Sequence, residues 1–239
     1  MTLKTETRER LQRVSTPTLA TILFKRGLRQ QTIQGVRPLR APDGLSMVGP
    51  AFTLRTIPAR EDLNPITVFR DPGHPQRQAI EQCPPGAVLV IDSRKDPRAA
   101  SAGGILATRL MVRGAAGLVT DGGFRDSAEI AALAMPSYHA RPSAPTNLTL
   151  HQPIEFDVPI GCGDAPVFPG DIVVGDADGL IVIPSHLADE IAEEATEMTV
   201  YEDFVTERVL AGHTIIGLYP PTDEANLELF RAWRHHHLR

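Results

Sequence analysis

Residues 87–129 decide the fold: AVLVI at 87–91, AGGILATRL at 102–110 and GLVTDGGFRDSAE at 117–129. The apolar runs at 87–91 and 117–120 are too short for helices and read as buried strands, while 104–113 reads as a helix. The turn PPGA precedes the first strand, and Gly114 stands where a helix would close in the left-handed region. A helix near 75–83 comes before this block and another starts at about Asp126. The alternation is α/β wiring.

Outward from that block, residues 4–14 and 16–26 read as two short helices. The second is introduced by Ser15 and Thr16 before Pro17, a cap followed by a first-turn proline, and Gly27 is its stop. Residues 47–57 read as a strand with Pro50 near its start, where a missing N–H does least harm. A polar loop follows over 58–73. Beyond 134, proline-punctuated segments lead into VFPGDIVVGDADGLIVIP, two strands joined at Asp178-Gly179. A long amphipathic helix is expected from Ser185, as its N-cap, to about Arg208, with Leu187, Ile191, Ala195 and Met198 on one apolar face. His235, His236 and His237 read as a frayed tail rather than a metal site.

Composition narrows the function classes. The chain has 239 residues, 42% of them hydrophobic, and 24 basic against 29 acidic residues give a net charge of -5 with no long block of either sign. That is enough apolar material for a sizeable core and no sign of a nucleic-acid surface. Three Tyr, one Trp and eight Phe make a base-stacking platform a poor fit. No stretch approaches the ~20 apolar residues of a membrane span. Cys83 and Cys162 lack the spacing of a zinc site and read as reduced thiols, so a cytoplasmic location is expected.

Two segments carry chemistry. Gly103 and Gly104 permit a tight turn into a helix whose first N–H groups, those of Ile105 and Leu106, suit a carboxylate or phosphate. Downstream, a strand runs out through Asp121-Gly122-Gly123 into Arg125 and Asp126, and ligands collect at strand carboxyl ends in α/β sheets. Arg offers a planar fork to a carboxylate or enolate oxygen, and Asp is a hard ligand for a magnesium-type ion. The pattern alone also fits a surface salt bridge with Asp126 capping a helix. Glu129, one turn beyond Asp126, would share its helix face.

AGGILATRL and DGGFRDSAE, with PIGCGDAPVFPGDIVVGDADGLIVIP downstream, resemble the family of 4-hydroxy-4-methyl-2-oxoglutarate aldolases, which also holds the regulator of ribonuclease activity A. The likeness runs from about Thr16 to about Gly212. It implies a swivelling β/β/α-type α/β fold, a mixed sheet with flanking helices. The domain is expected over 31–212, with helical extensions at 1–30 and 213–239. The resemblance further implies a homotrimer or dimer of trimers, with active sites near subunit boundaries. In that family's pattern Gly103, Gly104, Ile105 and Leu106 hold the carboxylate of a 2-oxo acid, Arg125 meets its oxo or enolate oxygen, and Asp126 holds Mg or Mn partly through water. Well-described aldolases carry an Asp where this chain has Gly104. A second pattern has glycine there and an acid at the position of Glu129, which would then serve the metal.

The activity so implied is a class II pyruvate-type aldolase with oxaloacetate decarboxylation alongside. Its substrate would be either a hydroxymethyl-oxoglutarate-like diacid or a 2-keto-3-deoxy sugar acid. Lys4, Lys25 and Lys95 lie outside the proposed site, which disfavours a Schiff base. The rival is a non-enzymatic regulator of a ribonuclease. A methyltransferase is disfavoured because no G-x-G-x-x-G turn follows a strand. Thr53, Arg55, Arg60, Glu61 and Asp62 are candidates for the substrate's distal end. His74 and His139 read as loop or core residues, and Asp171, Asp176 and Asp178 as turn residues rather than a calcium loop.

Overall fold

The computed structural model describes residues 3–41 and 44–237. Residues 1–2 and 238–239, the outer ends of the two expected extensions, lie outside the described residues. The helices are α1 (Thr5–Leu11), α2 (Thr16–Lys25), α3 (Pro75–Gln82), α4 (Gly104–Val112), α5 (Ser127–Ala132), α6 (Ala188–Leu210) and α7 (Glu224–His236). The first seven strands are β1 (Arg37–Pro38), β2 (Met47–Pro58), β3 (Val88–Ile91), β4 (Ala100–Ala102), β5 (Gly117–Thr120), β6 (Gly123–Phe124) and β7 (Ser137–His139). The remainder are β8 (Arg141–Pro142), β9 (His151–Phe156), β10 (Ile160–Cys162), β11 (Ala165–Val167), β12 (Ile172–Gly175) and β13 (Leu180–Ile183).

A mixed sheet in the order β1-β7-β5-β3-β2-β12-β13 forms the centre, with β9 also paired to β2. Its β2-β3-β5-β7 portion is parallel, as strand–helix–strand wiring requires. Strand β2 is long enough to serve three partners: β12 along its first residues, β3 in the middle, β9 at the end. Pro153 of β9 faces Thr56 at a register shift, where a strand tolerates a residue without an N–H. This is the mixed α/β sheet with flanking helices that the resemblance implies.

Two faces are covered. Phe52, Leu89, Leu118, Phe124 and Leu110 form the core under α3 and α4, and β3 and β5 are buried along their whole length. On the other side Leu11, Leu19 and Ile22 of the first two helices share a core with Ile172, Ile183, Ile191 and Ala195. Ser15 caps α2 as expected, its Oγ accepting from Thr18 N–H at 3.3 Å. No helix among the described residues is long and apolar enough to cross a membrane.

Three expectations need correction. Ser185 does not cap the long helix: a 3-10 turn over Ser185–Leu187 comes first, and Ser185 N–H instead donates to Asp171 Oδ1 at 3.2 Å. His235 and His236 do not fray, because α7 continues to His236 and packs through Phe230 and Trp233 on Phe204 of α6. His237 stacks on Trp233 at 4.3 Å. The stretch beyond 134 is not merely punctuated loop: it holds β7 through β11 before the expected hairpin of β12 and β13.

Candidate active site

A small side sheet brings the two sequence motifs together. β4 and β6 pair in parallel, Ala100 with Gly123 and Ala102 with Phe124, and Arg125 N–H donates to the Ala102 carbonyl at 3.2 Å. From β4 the chain turns at Gly103 into α4, and from β6 it passes through Arg125 and Asp126 into α5. Asp126 is left-handed, with φ 56° and ψ 37°, a conformation aspartate tolerates better than most residues. Its carboxylate turns back toward α4 instead of capping α5. Oδ2 accepts from Gly104 N–H at 3.0 Å and lies 3.6 Å from Arg125 Nε. The cap reading therefore fails and the ion-pair reading holds. Both side chains keep close to half their surface in solvent, 49% for Arg125 and 42% for Asp126, so a small anion can reach them.

The two glycines leave the space that the Arg125, Asp126 and Glu129 side chains occupy. A Cβ on Gly103 would lie 2.8 Å from Asp126 Oδ2 and 2.9 Å from Arg125 Nε; one on Gly104 would lie 2.7 Å from Glu129 Oε2. With Gly104 N–H taken by Asp126, the N–H groups of Ile105 and Leu106 have no acceptor among the described residues at the start of α4, where the helix dipole favours an anion. Asp126, Glu129 and the Gly103–Leu106 turn thus stand within one small region, as the spacing suggested.

This region opens on a cavity of about 560 Å³. Gly103, Ile105, Leu106, Arg125 and Asp126 line it, and across from them stand Ile66, Phe69, Gln76 and Arg77. The expected distal residues do not contribute. Thr53 is buried and exchanges hydrogen bonds with the Val158 backbone, Arg55 pairs with Glu155 at 3.5 Å, and Arg60 pairs with Asp62 at 2.7 Å. Glu61 is exposed and also absent from the cavity wall. Sequence reasoning missed Phe69, Gln76 and Arg77. No motif marks them, since packing of α3 against α4 is what delivers the last two.

The donor set fits a magnesium-type ion. Asp126 and Glu129 supply hard carboxylate oxygens that converge beside Gly104, and an ion that keeps several waters needs only one or two such ligands. Among the described residues no cluster of three or more His, Cys, Asp or Glu forms a ready cage. Asp121, Asp171 and Asp176 have structural tasks. Asp121 is buried and accepts from Ser93, Lys95 and Gly163 N–H groups at 2.7, 3.0 and 3.1 Å. Asp176 ties Thr16 to its own turn, and Asp171 accepts from Phe168 N–H. His74 meets the edge of Phe69 and His139 stacks on Phe124; both are buried, and Nδ1 of each has no hydrogen-bond partner among the described residues. Both cysteines are free and buried; burial pushes the Cys83 thiol up to about 12.

Comparison with known proteins shows the family and the fold. The family model described as RraA-like, Aldolase/RraA, matches residues 16–182. A Halalkalibacterium halodurans protein named "Putative 4-hydroxy-4-methyl-2-oxoglutarate aldolase" is 31% identical over 184 residues, 75% of this chain and 78% of the relative. The crystal structure of Streptomyces coelicolor RraAS2, described as an unusual member of the RNase ES inhibitor RraA protein family, superposes with a TM-score of 0.75. It is 29% identical, with 85% of this chain and 97% of that one covered. An uncharacterized Pseudomonas syringae protein shares the fold at TM-score 0.77 and 21% identity, over 92% of this chain and 99% of its own.

Proposed function

Since the chain belongs to the RraA-like family, Aldolase/RraA, we propose that it is a divalent-metal-dependent lyase acting on a small 2-oxo acid. The observation that carries this reading is the convergence of Arg125, Asp126 and the start of α4 on one solvent-accessible cavity.

Each group has a task that follows from its chemistry. The Ile105 and Leu106 N–H groups, with the dipole of α4 behind them, bind the carboxylate of the 2-oxo acid. Arg125 faces the 2-oxo oxygen, where negative charge grows as the C3–C4 bond breaks and its electron pair moves into the enolate. Asp126 and Glu129 would hold Mg or Mn, which would supply Lewis-acid polarisation of the oxo group. In retro-aldol cleavage the C4 hydroxyl loses its proton as a carbonyl product departs; with oxaloacetate, carbon dioxide departs instead. Pyruvate forms when C3 is protonated.

A covalent lysine route has no support here. Lys4 pairs with Asp189 and Lys95 with Asp164, both at 2.5 Å, Lys25 is exposed on α2, and none of the three lines the cavity.

We also place the site near a boundary between copies of the chain, in a trimer or dimer of trimers. Ile105 and Val112, 85% and 67% exposed, put an apolar strip on the outer face of α4 beside the cavity, and a second copy would cover it.

The test is pyruvate release from oxaloacetate and from a panel of 4-hydroxy-2-oxo acids, with Mg or Mn and then with EDTA. Metal-dependent release from at least one supports the lyase, and none from any rejects it. The second reading, a non-enzymatic ribonuclease regulator, is favoured by the RraAS2 likeness alone. It gains if Arg125→Met and Asp126→Asn leave every activity of the protein unchanged.

A further inference from the structure

Arg77 is the one charged group of the cavity wall without an ion-pair partner among the described residues. Three arginines line the space: Arg77, Arg109 and Arg125. Arg109 is paired with Glu81 at 2.8 Å and Arg125 with Asp126 at 3.6 Å. Among the described residues no carboxylate pairs with Arg77. Its guanidinium sits 4.5 Å above the centroid of the Phe69 ring, which fixes its orientation without neutralising it. Burial holds its pKa below the ordinary arginine value, and the positive charge of Arg125 pushes the same way. A partly desolvated cation with no carboxylate partner calls for an anionic group of its own.

The adjoining residue supplies a second, independent observation. Gln76 is 3% exposed and lines the same cavity. Its Nε2 donates to the Ser101 carbonyl at 2.7 Å, which fixes the amide, and its Oε1 accepts from no described residue. A buried acceptor left so takes a donor from an ordered water or a ligand hydroxyl, which marks this wall as polar; an anion has no proton to give it, so the anion falls to Arg77.

We infer that Arg77 binds a second anionic group, carboxylate or phosphate, at the end of the ligand remote from the 2-oxo acid head, and thereby sets a preference for dianionic over monoanionic 2-oxo acids. This rests on the cavity being a 2-oxo acid site. Arg77 touches the far end of the ligand and takes no part in bond cleavage.

The experiment is calorimetric titration of the full chain, with Mg present, against three probes. 2-Oxoglutarate carries a distal carboxylate, 4-phosphono-2-oxobutanoate a distal phosphonate, and 2-oxopentanoate a methyl in the same place. Wild type is expected to bind one of the dianions about tenfold more tightly or better, the scale of one charge-assisted contact. The tighter of the two identifies the group. Arg77→Gln is expected to erase that preference while 2-oxopentanoate binding stays within about twofold. Arg77→Lys should keep part of it. Equal wild-type affinity for all three probes, or equal weakening of all three by Arg77→Gln, overturns the assignment of Arg77 alone. Absence of binding by every probe overturns the 2-oxo acid reading, and this inference with it.

Discussion

The Glu129 carboxylate fills the volume that a side chain on residue 104 would need. A Cβ at 104 would come within 2.7 Å of Glu129 Oε2 and 3.7 Å of Asp126 Oδ2. Acids at 104 and at 129 therefore compete for one place beside Asp126, which gives a physical sense to the two sequence patterns of the family.

That competition predicts a rescue. Glu129→Ala should lower Mg affinity by about tenfold or more, in the range seen when a group supporting a metal ligand is lost. Gly104→Asp added to Glu129→Ala should recover most of it, because the new carboxylate enters the vacated volume. Mg dependence of activity, or direct titration, reads the result. A double variant no better than Glu129→Ala would mean that the two positions do not share a task.

Gly103→Ala should be severe for activity and mild for folding. Gly103 is extended, with φ −128°, so alanine strains no backbone there. Its methyl would meet both Asp126 Oδ2 and Arg125 Nε. Displacing aligned groups by a fraction of an ångström to an ångström costs on the order of 100-fold in rate. Steady-state kinetics beside thermal unfolding separates the two effects. Activity within about twofold of wild type would show that the turn does not hold these side chains in register.

His139 should contribute a pH dependence to stability. It stacks on Phe124 at 5.5 Å, one residue before Arg125, and burial, followed by the charge of Arg37, lowers its pKa from 6.5 to about 4. A depressed histidine is neutral in the folded chain while the unfolded chain takes up a proton. Its contribution is therefore present above pH 6.5 and is lost as pH falls from 6.5 toward about 4, by at most about 1.4 kcal/mol per pH unit. His74 and His151 shift in the same direction and add to the slope. His139→Phe keeps a ring against Phe124 and should flatten denaturant-measured stability across that range. An unchanged slope would contradict the assignment.

Much of this was legible because it was local. The runs at 87–91 and 117–120, the helix after Gly104 and the Asp178-Gly179 hairpin each announce themselves within a few residues, and the structure has all of them. Strands β4, β6 and β8 are two or three residues long and show no period, although the first two bring Gly103 and Arg125 together. Arg77 and Gln76 were hidden for a related reason: a polar pair on a short helix resembles any solvated face until α3 is packed beside α4. The C-terminal histidines misled because Phe204, on which Phe230 and Trp233 of α7 pack, is distant in sequence.

The central claim is that Arg125 and Asp126 together let negative charge gather on a three-carbon fragment. Proton exchange at the methyl group of pyruvate in D2O, followed by NMR, tests this without knowledge of the full substrate, since exchange requires the enolate. Asp126→Asn is the informative variant, because asparagine also accepts the left-handed backbone at 126 and removes only charge. Deuteration by wild type that depends on Mg or Mn, and falls by two or more orders of magnitude in Asp126→Asn and Arg125→Met, is the predicted result. No exchange by wild type, or exchange that both variants retain, would contradict the account.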